Sequence, residues 1–265
     1  MSALLSQISL REIRFKTLLL AAWRDARPGN RYVYQMMPNG DNLVALSDFI
    51  INEFKRNYGV TPKYTAPGAI DPSLFKPFTG ERDIDVVGAG SLIGLKQYSV
   101  FIDIIQALKR NIPKIKAIIC GNGPEMAALQ IQINRLGLDG NITLTGELPH
   151  AEVLALMQRT KVFLHPSRYE GFGIVCLEAL YAGAKVISFV RPMINEIPNW
   201  HIARNAADMT RMAKEVLLDA DLLYYPVLPY HIADTVKIIM ELYQQEAAIM
   251  PMRSAMASKE RVDLK

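Results

Sequence analysis

Short apolar runs rich in β-branched residues recur along the chain between residues 84 and 190. The first, Ile84 to Val87, leads into the turn Gly88-Ala89-Gly90 and predicts a buried strand. Similar runs predict four further strands, at Lys116 to Cys120, Ile142 to Thr145, Lys161 to His165 and Lys185 to Val190. Strands that are apolar almost throughout are typical of a sheet covered on both faces.

Amphipathic segments separate these runs and predict helices. Between Lys96 and Arg110, apolar side chains recur at intervals of three and four residues. Pro124 suits the first turn of a second helix, and further helices are predicted at Ala151 to Thr160, Gly173 to Ala182, Asp208 to Leu218 and Ala233 to Gln244. Five alternations of strand and helix predict an α/β fold with a doubly wound parallel sheet.

The first 80 residues follow a different pattern. Ile8 to Ala26 is basic and amphipathic and predicts a helix, whereas Leu43 to Leu46 predicts one strand, with Ser47 as the N-cap of a helix at Asp48 to Asn57. One clear strand is too little for a complete α/β domain. We therefore expect a partial N-terminal lobe with a linker at residues 1–80, a main lobe at 81–225, and a helix and tail at 226–265, without a clear period beyond about Met250.

Composition narrows the class of protein. Half of the 265 residues are hydrophobic and 21% are charged, which excludes a disordered chain. The apolar run Leu18 to Trp23 is far shorter than the roughly 20 residues of a membrane span, and the start shows no signal-peptide pattern. Two cysteines, Cys120 and Cys176, are too few for a disulfide framework, so a cytoplasmic protein is expected. The net charge of +4 suits anionic small molecules or acidic lipids, and no basic run interleaved with aromatic residues indicates nucleic acid.

Glycine-rich loops follow the predicted strands, at the edge where open α/β sheets bind ligands. The loop Gly88 to Gly94 could bring backbone amides close to a phosphate, with Lys96 as an added positive charge. A nicotinamide-dependent oxidoreductase is one alternative, but the loop is one residue longer than G-x-G-x-x-G and Cys120-Gly121-Asn122 lacks the expected acid. A tight turn without a ligand is another alternative, and it applies equally to Gly121 to Glu125.

The segment after the fourth predicted strand carries the most chemistry. Gly171-Phe172-Gly173 offers backbone amides at the start of a helix, which suit negative charge or hydroxyl oxygens. Glu170 precedes these glycines, and Glu178 lies within the helix between Leu177 and Ala179. A carboxylate buried in an apolar helix is costly, and a pair of ribose hydroxyls would explain it. The alternative is one acid favoured by the helix N-terminus and one solvated glutamate.

Glu170 and Glu178, with the glycines between them, resemble the E-x7-E motif of the retaining GT-B glycosyltransferases of family 4. Other family elements follow in the same order from about residue 42 to about residue 220. They are the strand ending in serine at Val44 to Ser47, the G-[VI]-D…F element at Gly68 to Phe75, the G-R-L-x-x-x-K loop at Gly90 to Lys96, the G-x-G-P turn at Gly121 to Pro124 and the turn Gly146-Glu147-Leu148. Several ordered motifs together make the resemblance specific.

The resemblance implies a nucleotide-sugar site in a Rossmann-like C-terminal lobe. Glu170 would hold hydroxyls of the donor sugar, Glu178 would accept hydrogen bonds from the ribose, and Lys96 with amides near Gly173 and Ile174 would neutralise the diphosphate. The other donor-binding residues that it implies are Gly90, Ser91, Gly121, Asn122, Gly146, Glu147, Leu148, Gly171 and Phe172. The family usually works without a metal or another cofactor. Asp83-Ile84-Asp85 has the letters of a D-x-D metal motif, but it opens a buried strand.

Two features depart from the family pattern. Ser91 stands where the pattern has arginine, and a lost charge-assisted contact costs about 1.5–3 kcal/mol. The 80 residues ahead of the main lobe predict a shortened N-terminal lobe.

We expect a retaining glycosyltransferase that moves a sugar from a nucleoside-diphosphate sugar to a glycan or lipid-linked acceptor. The alternative is a non-catalytic nucleotide-sugar-binding lobe, truncated or completed by a partner chain. The segment Ile8 to Ala26 could lie on an anionic membrane surface, at the inner face, or be a lobe helix that lacks its packing partner.

Overall fold

The structure is a computed structural model that describes residues 19–21 and 43–244. Its strands are β1 (Leu19–Ala21), β2 (Leu43–Ala45), β3 (Tyr64–Thr65), β4 (Ile84–Ala89), β5 (Ala117–Cys120), β6 (Ile142–Gly146), β7 (Thr160–His165), β8 (Lys185–Ser188) and β9 (Trp200–Ile202). Its helices are α1 (Asp48–Tyr58), α2 (Tyr98–Lys109), α3 (Met126–Arg135), α4 (His150–Gln158), α5 (Ile174–Tyr181) and α6 (Ala206–Leu218), and residues 232–244 are also helical.

Six of these strands form one parallel sheet in the order β6-β5-β4-β7-β8-β9. Val86 in β4 pairs with Ala117 in β5 on one side and with Val162 in β7 on the other. The chain therefore builds the sheet outward from β4 in one direction and then from β7 in the other. Counted along the chain, the order is 3-2-1-4-5-6, the order of a Rossmann-type doubly wound sheet.

Helices cover both faces of this sheet and bury one apolar core on each side. On one face, Phe101 and Ile105 of α2 lie in one cluster with Met209 of α6 and Ile119 of β5. On the other face, residues of α4, α5, β7 and β8 form the second cluster, among them Met157, Leu177, Phe163 and Val186. Each such side chain contributes about 1.5–3 kcal/mol on burial. The predicted doubly wound α/β fold is thereby confirmed.

The element boundaries follow the predictions to within a few residues. The fifth predicted strand ends at Ser188 rather than Val190, and Thr160 opens β7 rather than closing α4. Pro124 lies in the turn ahead of α3, which begins at Met126, so its predicted place in the first helical turn was wrong. The turn is held there because the amide of Glu125 donates to the carbonyl of Leu92, 3.1 Å away, in the neighbouring loop.

The described part of the first 80 residues holds a second sheet, which the pattern did not predict. β1, β2 and β3 are parallel in the order β1-β2-β3, so the expectation of one strand was wrong. The helix predicted over Ile8 to Ala26 was wrong at Leu19–Ala21, which is strand; its other residues, and the tail beyond Met250, lie outside the described residues. Strands of two or three residues are too short to show a hydrophobic period, and they form because their backbones pair with neighbouring strands.

The predicted helix after β2 is confirmed. Ser47 is the N-cap of α1, and its hydroxyl accepts a hydrogen bond from the amide of Ile50. Gly59 ends the helix with a positive φ of 68°. Leu242, in the 232–244 helix, packs against Val44 of β2 and Ala66 beyond β3. Within residues 19–21 and 43–244, no helix is both long and apolar enough to cross a membrane.

Candidate functional site

Lys96 and Glu170 lie in the loops that follow β4 and β7, beside the crevice where the strand order of the sheet reverses. The loops that follow these two strands are in direct contact. The amide of Arg168 donates to the carbonyl oxygen of Leu95, 3.1 Å away, and the hydroxyl of Ser167 reaches the same oxygen at 3.4 Å. Crevices at such reversal points are the usual ligand sites of open α/β sheets.

Lys96, His165 and Glu170 form an ion-paired cluster in this crevice. The ammonium of Lys96 and Nε2 of His165 both contact Oε1 of Glu170, the imidazole at 2.6 Å. Burial alone would raise the pKa of Glu170, but the hydrogen bond and charge of His165, together with Lys96, lower it to about 2. Glu170 is therefore held as a carboxylate throughout the neutral range.

Helix α1 supports the loop that carries Glu170. The buried hydroxyl of Ser47 donates to the carbonyl oxygen of Gly171 at 2.7 Å, across 124 residues of sequence. The ring of Phe49 packs edge-on against Tyr169 with 5.0 Å between centroids, and the amide of Phe49 donates to the carbonyl of Pro192. The residues before β4 thus hold two loops of the six-stranded sheet at its carboxyl edge.

Glu178 lies in α5, the helix that follows the Glu170 loop, and its side chain has a different environment. Oε1 of Glu178 is 2.8 Å from Nε2 of His150, the first residue of α4. Burial raises the pKa of Glu178, and the hydrogen bond and charge of His150 offset part of that rise. Each of the two glutamates singled out from the sequence therefore contacts a histidine, and their roles in binding stay predictions.

The glycines of the predicted donor loops allow close contact between neighbouring loops. The amide of Gly90 donates to the carbonyl of Cys120 at 3.0 Å, and that of Gly121 donates to the carbonyl of Gly146 at 2.8 Å. Gly121 has a φ of 139°, and a Cβ there would lie 1.9 Å from the carbonyl oxygen of Gly90. The side chain of Asn122 accepts from the amide of Gly123. In this structure these glycines let the loops after β4, β5 and β6 pack closely against one another.

The remaining predicted residues differ in exposure. Ser91, Glu147 and Ile174 are exposed, and Leu148 is half-buried. Phe172 is buried, and its ring packs against Tyr230 and leaves no room for a side chain at Gly68. Gly173, with a φ of 78°, is the N-cap of α5 and no side chain caps this helix start. The first amides of a helix without such a cap are available to a ligand.

The aspartates of the D-x-D sequence lie at the opposite edge of the sheet. Asp83 pairs with Arg159, and Asp85 pairs with Lys161 at 2.8 Å. Within residues 43–244 and 19–21, no group of three or more His, Cys, Asp or Glu side chains is arranged to hold a metal ion.

Sequence reasoning did not assign His150, His165 or the loop contact of Ser47 to the site. His165 ends β7 and His150 opens the helix that follows β6, so both stand at the carboxyl edge. The position of a histidine directly at a strand end or a helix start could have indicated the two imidazoles. The contact of Ser47 with Gly171 has no local signal, because it joins residues from distant parts of the chain.

Curated proteins resemble this chain over about half of its length. Over 157 residues the chain is 27% identical to 2-deoxystreptamine N-acetyl-D-glucosaminyltransferase of Niallia circulans, covering 55% of this chain and 40% of that protein. Over 143 residues it is 29% identical to the phosphatidylinositol N-acetylglucosaminyltransferase gpi3 subunit of Schizosaccharomyces pombe, covering 53% of this chain and 31% of that protein. The chain spans less than half the length of these curated relatives.

The fold is that of solved GT-B glycosyltransferases. The pneumococcal O-GlcNAc transferase GtfA, solved in complex with UDP and GlcNAc, superposes with a TM-score of 0.57 at 20% identity, over 70% of this chain and 39% of GtfA. The family described as glycosyl transferases group 1 matches residues 71–219, which is more than half of the 265 residues and includes both glutamates and Lys96. The chain therefore belongs to the glycosyl transferases group 1 family.

Proposed function

We propose that this chain carries the donor site of a retaining glycosyltransferase of the family 4 type, which uses a nucleoside-diphosphate sugar. The observation that carries the proposal is the pair Glu170 and Glu178 at one edge of the sheet, one ion-paired with Lys96 and the other buried beside His150. Because the chain spans less than half of its relatives, the complete reaction is part of the proposal and not of the family assignment.

Glu178 binds the ribose in this proposal. A carboxylate has two oxygens and can accept one hydrogen bond from each of two neighbouring hydroxyls. The side chain of Glu178 is only 16% exposed, so few water molecules can solvate its carboxylate, and the hydroxyls of a diol would supply the missing hydrogen bonds. Because Glu178 lies on a regular helix, its carboxylate is held in a fixed position. Buried carboxylates without a strong cation gain most from such partners.

Glu170 and Lys96 act on the sugar and the diphosphate. Glu170 accepts hydrogen bonds from hydroxyls of the donor sugar while His165 holds its carboxylate in place. An ammonium has three hydrogens, so Lys96 can keep its ion pair with Glu170 and also donate a hydrogen bond to a phosphate oxygen. The amides at the start of α5, near Gly173 and Ile174, add further donors to the diphosphate.

Transfer breaks the bond between the anomeric carbon and the diphosphate oxygen and forms a bond from that carbon to the acceptor oxygen, whose proton passes to the departing diphosphate. Negative charge grows on the diphosphate, and donors aimed at that charge lower the barrier. The proposal assigns this charge to Lys96 and the α5 amides rather than to a metal ion or another cofactor. Transfer that persists in the presence of a chelator is the expected result.

The acceptor class is a glycan or a lipid-linked hydroxyl. The names of the two curated relatives begin with different compounds, 2-deoxystreptamine and phosphatidylinositol, and both include N-acetylglucosaminyltransferase. A lipid-linked acceptor would place the site at the cytoplasmic face of a membrane. A nucleotide-sugar-binding lobe that needs a partner chain for transfer is the second form of the same site, and the relative from Schizosaccharomyces pombe is named as a subunit.

The test begins with binding. UDP, GDP and ADP, each alone and as sugar conjugates, are titrated into the wild type and Glu178→Ala by calorimetry, with Glu152→Ala as the control. Glu152 is exposed on the first turn of α4 and lies outside the proposed site. We expect one nucleotide to bind the wild type and the control equally and Glu178→Ala more weakly, by about tenfold or more.

Two outcomes decide between the forms of the proposal. If none of the nucleotides binds with a Kd below about 1 mM, the donor-site proposal is wrong. If one binds, release of nucleoside diphosphate from its sugar conjugate in the presence of glycan and lipid acceptors shows a complete transferase, and binding without release shows the lobe alone.

A further inference from the structure

His150 occupies a defined place beside the proposed ribose carboxylate. It is the first residue of α4, after Pro149 as the N-cap, and its Nε2 lies 2.8 Å from Oε1 of Glu178. An ionised carboxylate only accepts hydrogen bonds, so the imidazole donates through Nε2. The imidazole is 54% exposed whereas the Glu178 side chain is 16% exposed, so His150 is the more solvent-accessible member of the pair.

Glu178 has few other means of staying charged. It lies within α5, and the residues on either side of it in the sequence, Leu177 and Ala179, are fully buried. Burial raises the pKa of this carboxyl, and His150 is the group that opposes the rise. A carboxyl that gains a proton loses an acceptor site, and a neutral acid binds a diol more weakly than a carboxylate does.

We propose that His150 is a positioning residue of the donor site, which orients the Glu178 carboxylate and keeps it ionised so that both of its oxygens can receive the ribose hydroxyls. The inference rests on the proposed function, since it assumes that Glu178 binds the ribose. A carboxylate oxygen can accept two hydrogen bonds, so the imidazole and one hydroxyl can share Oε1.

Other titratable groups near α5 are directed elsewhere. On α4, Glu152 is exposed in the first turn. On β7, Lys161 pairs with Asp85 and His165 contacts Glu170, and on β8 Lys185 donates to Asn199. On α5 itself the titratable neighbours are Cys176, whose thiol pKa is raised by burial, and Tyr181. Among the described elements packed against α5, His150 is thus the group in contact with Glu178.

The experiment measures nucleotide affinity and the Glu178 titration in the same variants. The nucleoside diphosphate that binds the wild type, out of UDP, GDP and ADP, is titrated into His150→Ala, His150→Gln and the control Glu152→Ala at roughly pH 8 and roughly pH 5.5. The lower pH is included because a carboxyl with a raised pKa, like that of Glu178, gains a proton more readily as the pH falls. Carbon-13 NMR follows the Glu178 carboxyl in the unliganded proteins, with Glu178→Gln to assign its signal.

We expect His150→Ala to bind the nucleotide about tenfold more weakly than the wild type at the higher pH, and the ratio to grow at the lower pH. Because the ligand's own titration is common to all variants, the ratio reports the protein. His150→Gln should recover affinity at the higher pH, since its amide can donate, but not at the lower pH, since it carries no charge. The Glu178 pKa should be higher in His150→Ala than in the wild type.

The possible failures are distinguishable. If the wild type binds no nucleotide, the donor site and this inference both fall. If the wild type binds, Glu178→Gln binds more weakly and His150→Ala binds as the wild type does at both pH values, only the role of His150 is wrong. Tighter binding by His150→Ala would also overturn it, because His150 would then compete with the ribose. Should His150→Ala not fold, His150→Gln carries the same pH comparison.

Discussion

Glu170 and Glu178 are eight residues apart and lie at one edge of one sheet, but the regions around them have opposite electrostatics. Their side chains are nearly equally buried, at 12% and 16% exposure. Glu170 contacts the Lys96 ammonium and the buried imidazole of His165, and its pKa falls to about 2. Glu178 hydrogen-bonds to the more exposed His150, and burial raises its pKa. The partners of a carboxylate, rather than its depth, decide the sign of its shift.

The opposite signs have opposite consequences for stability. A lowered folded-state pKa means that the carboxylate stabilises the fold at neutral pH, whereas a raised one means that the charged form costs stability there. The Glu170 region is therefore part of what holds the crevice together. The Glu178 carboxylate lowers the stability of the ligand-free protein, and groups with such a cost are typical of ligand sites.

The largest expected effect is that of Glu170→Gln. The substitution keeps the shape but leaves the Lys96 ammonium in the crevice without its carboxylate, and removing one partner of a largely buried ion pair costs about 3 kcal/mol or more. Urea denaturation of the two proteins at neutral pH measures the difference in the free energy of unfolding.

Asp83→Asn is the matched control for this substitution. It breaks the ion pair with Arg159 at the other edge of the sheet, where both side chains are more than 40% exposed. An exposed pair contributes at most about 1 kcal/mol. If Glu170→Gln costs no more than Asp83→Asn, the Glu170 cluster is not the stabilising region described here.

The stabilising effect of Glu170 should disappear in acid. Its carboxyl has an ordinary pKa of 4.5 and a folded-state pKa of about 2, so its contribution is complete above the first value and is lost as the pH falls toward the second. The gap in unfolding free energy between the wild type and Glu170→Gln should therefore narrow below about pH 4.5. Denaturation series run down to the lowest pH at which both proteins fold measure it, and a constant gap would contradict the assignment.

A smaller effect is expected from Ser47→Ala, which removes a contact to the Glu170 loop and leaves the surroundings of Glu178 unchanged. It removes the N-cap of α1 and the hydrogen bond to Gly171, at a cost of about 1–2 kcal/mol. It should also weaken nucleotide binding, because the loop of Glu170 loses an anchor. Asn205→Ala, which removes the N-cap of α6 alone, should cost about 1 kcal/mol and leave nucleotide affinity unchanged. Equal affinities in the two variants would show that the loop does not need Ser47.

The doubly wound fold, and the placement of both glutamates at and after one helix start, could be predicted from the sequence because each depends on local pattern. The five strands are rich in apolar and β-branched residues, α2 shows the helical period, and Ser47 stands directly before α1. Glu170 and Glu178 are on one loop and the helix that follows it. Their proximity needs only the turn at Gly171 to Gly173, which the sequence displays.

Local pattern could not predict the contacts of the glutamates, because their partners come from other parts of the sheet. Lys96 is 74 residues from Glu170, and the two meet only because β7 pairs with β4 rather than with β6. His150 reaches Glu178 because α4 and α5 cover the same face. The strands β1, β3 and β9 are two or three residues long and are defined by pairing alone. Local pattern thus identified the acids, and topology determined their charge environments.

Glu178→Gln is expected to have the smallest effect on stability and the clearest meaning. The isosteric amide can keep the contact with His150 while removing a charge that burial disfavours. The unfolding free energy at neutral pH should be equal to that of the wild type or higher, within about 1 kcal/mol, and the difference should vanish in acid, where the wild-type carboxyl is protonated as well. Nucleotide affinity should fall in the same protein. A loss of stability as large as that of Glu170→Gln would mean that Glu178 is a structural group like Glu170. Lost binding without lost stability would instead mark Glu178 as a group that destabilises the empty site and acts on the ligand.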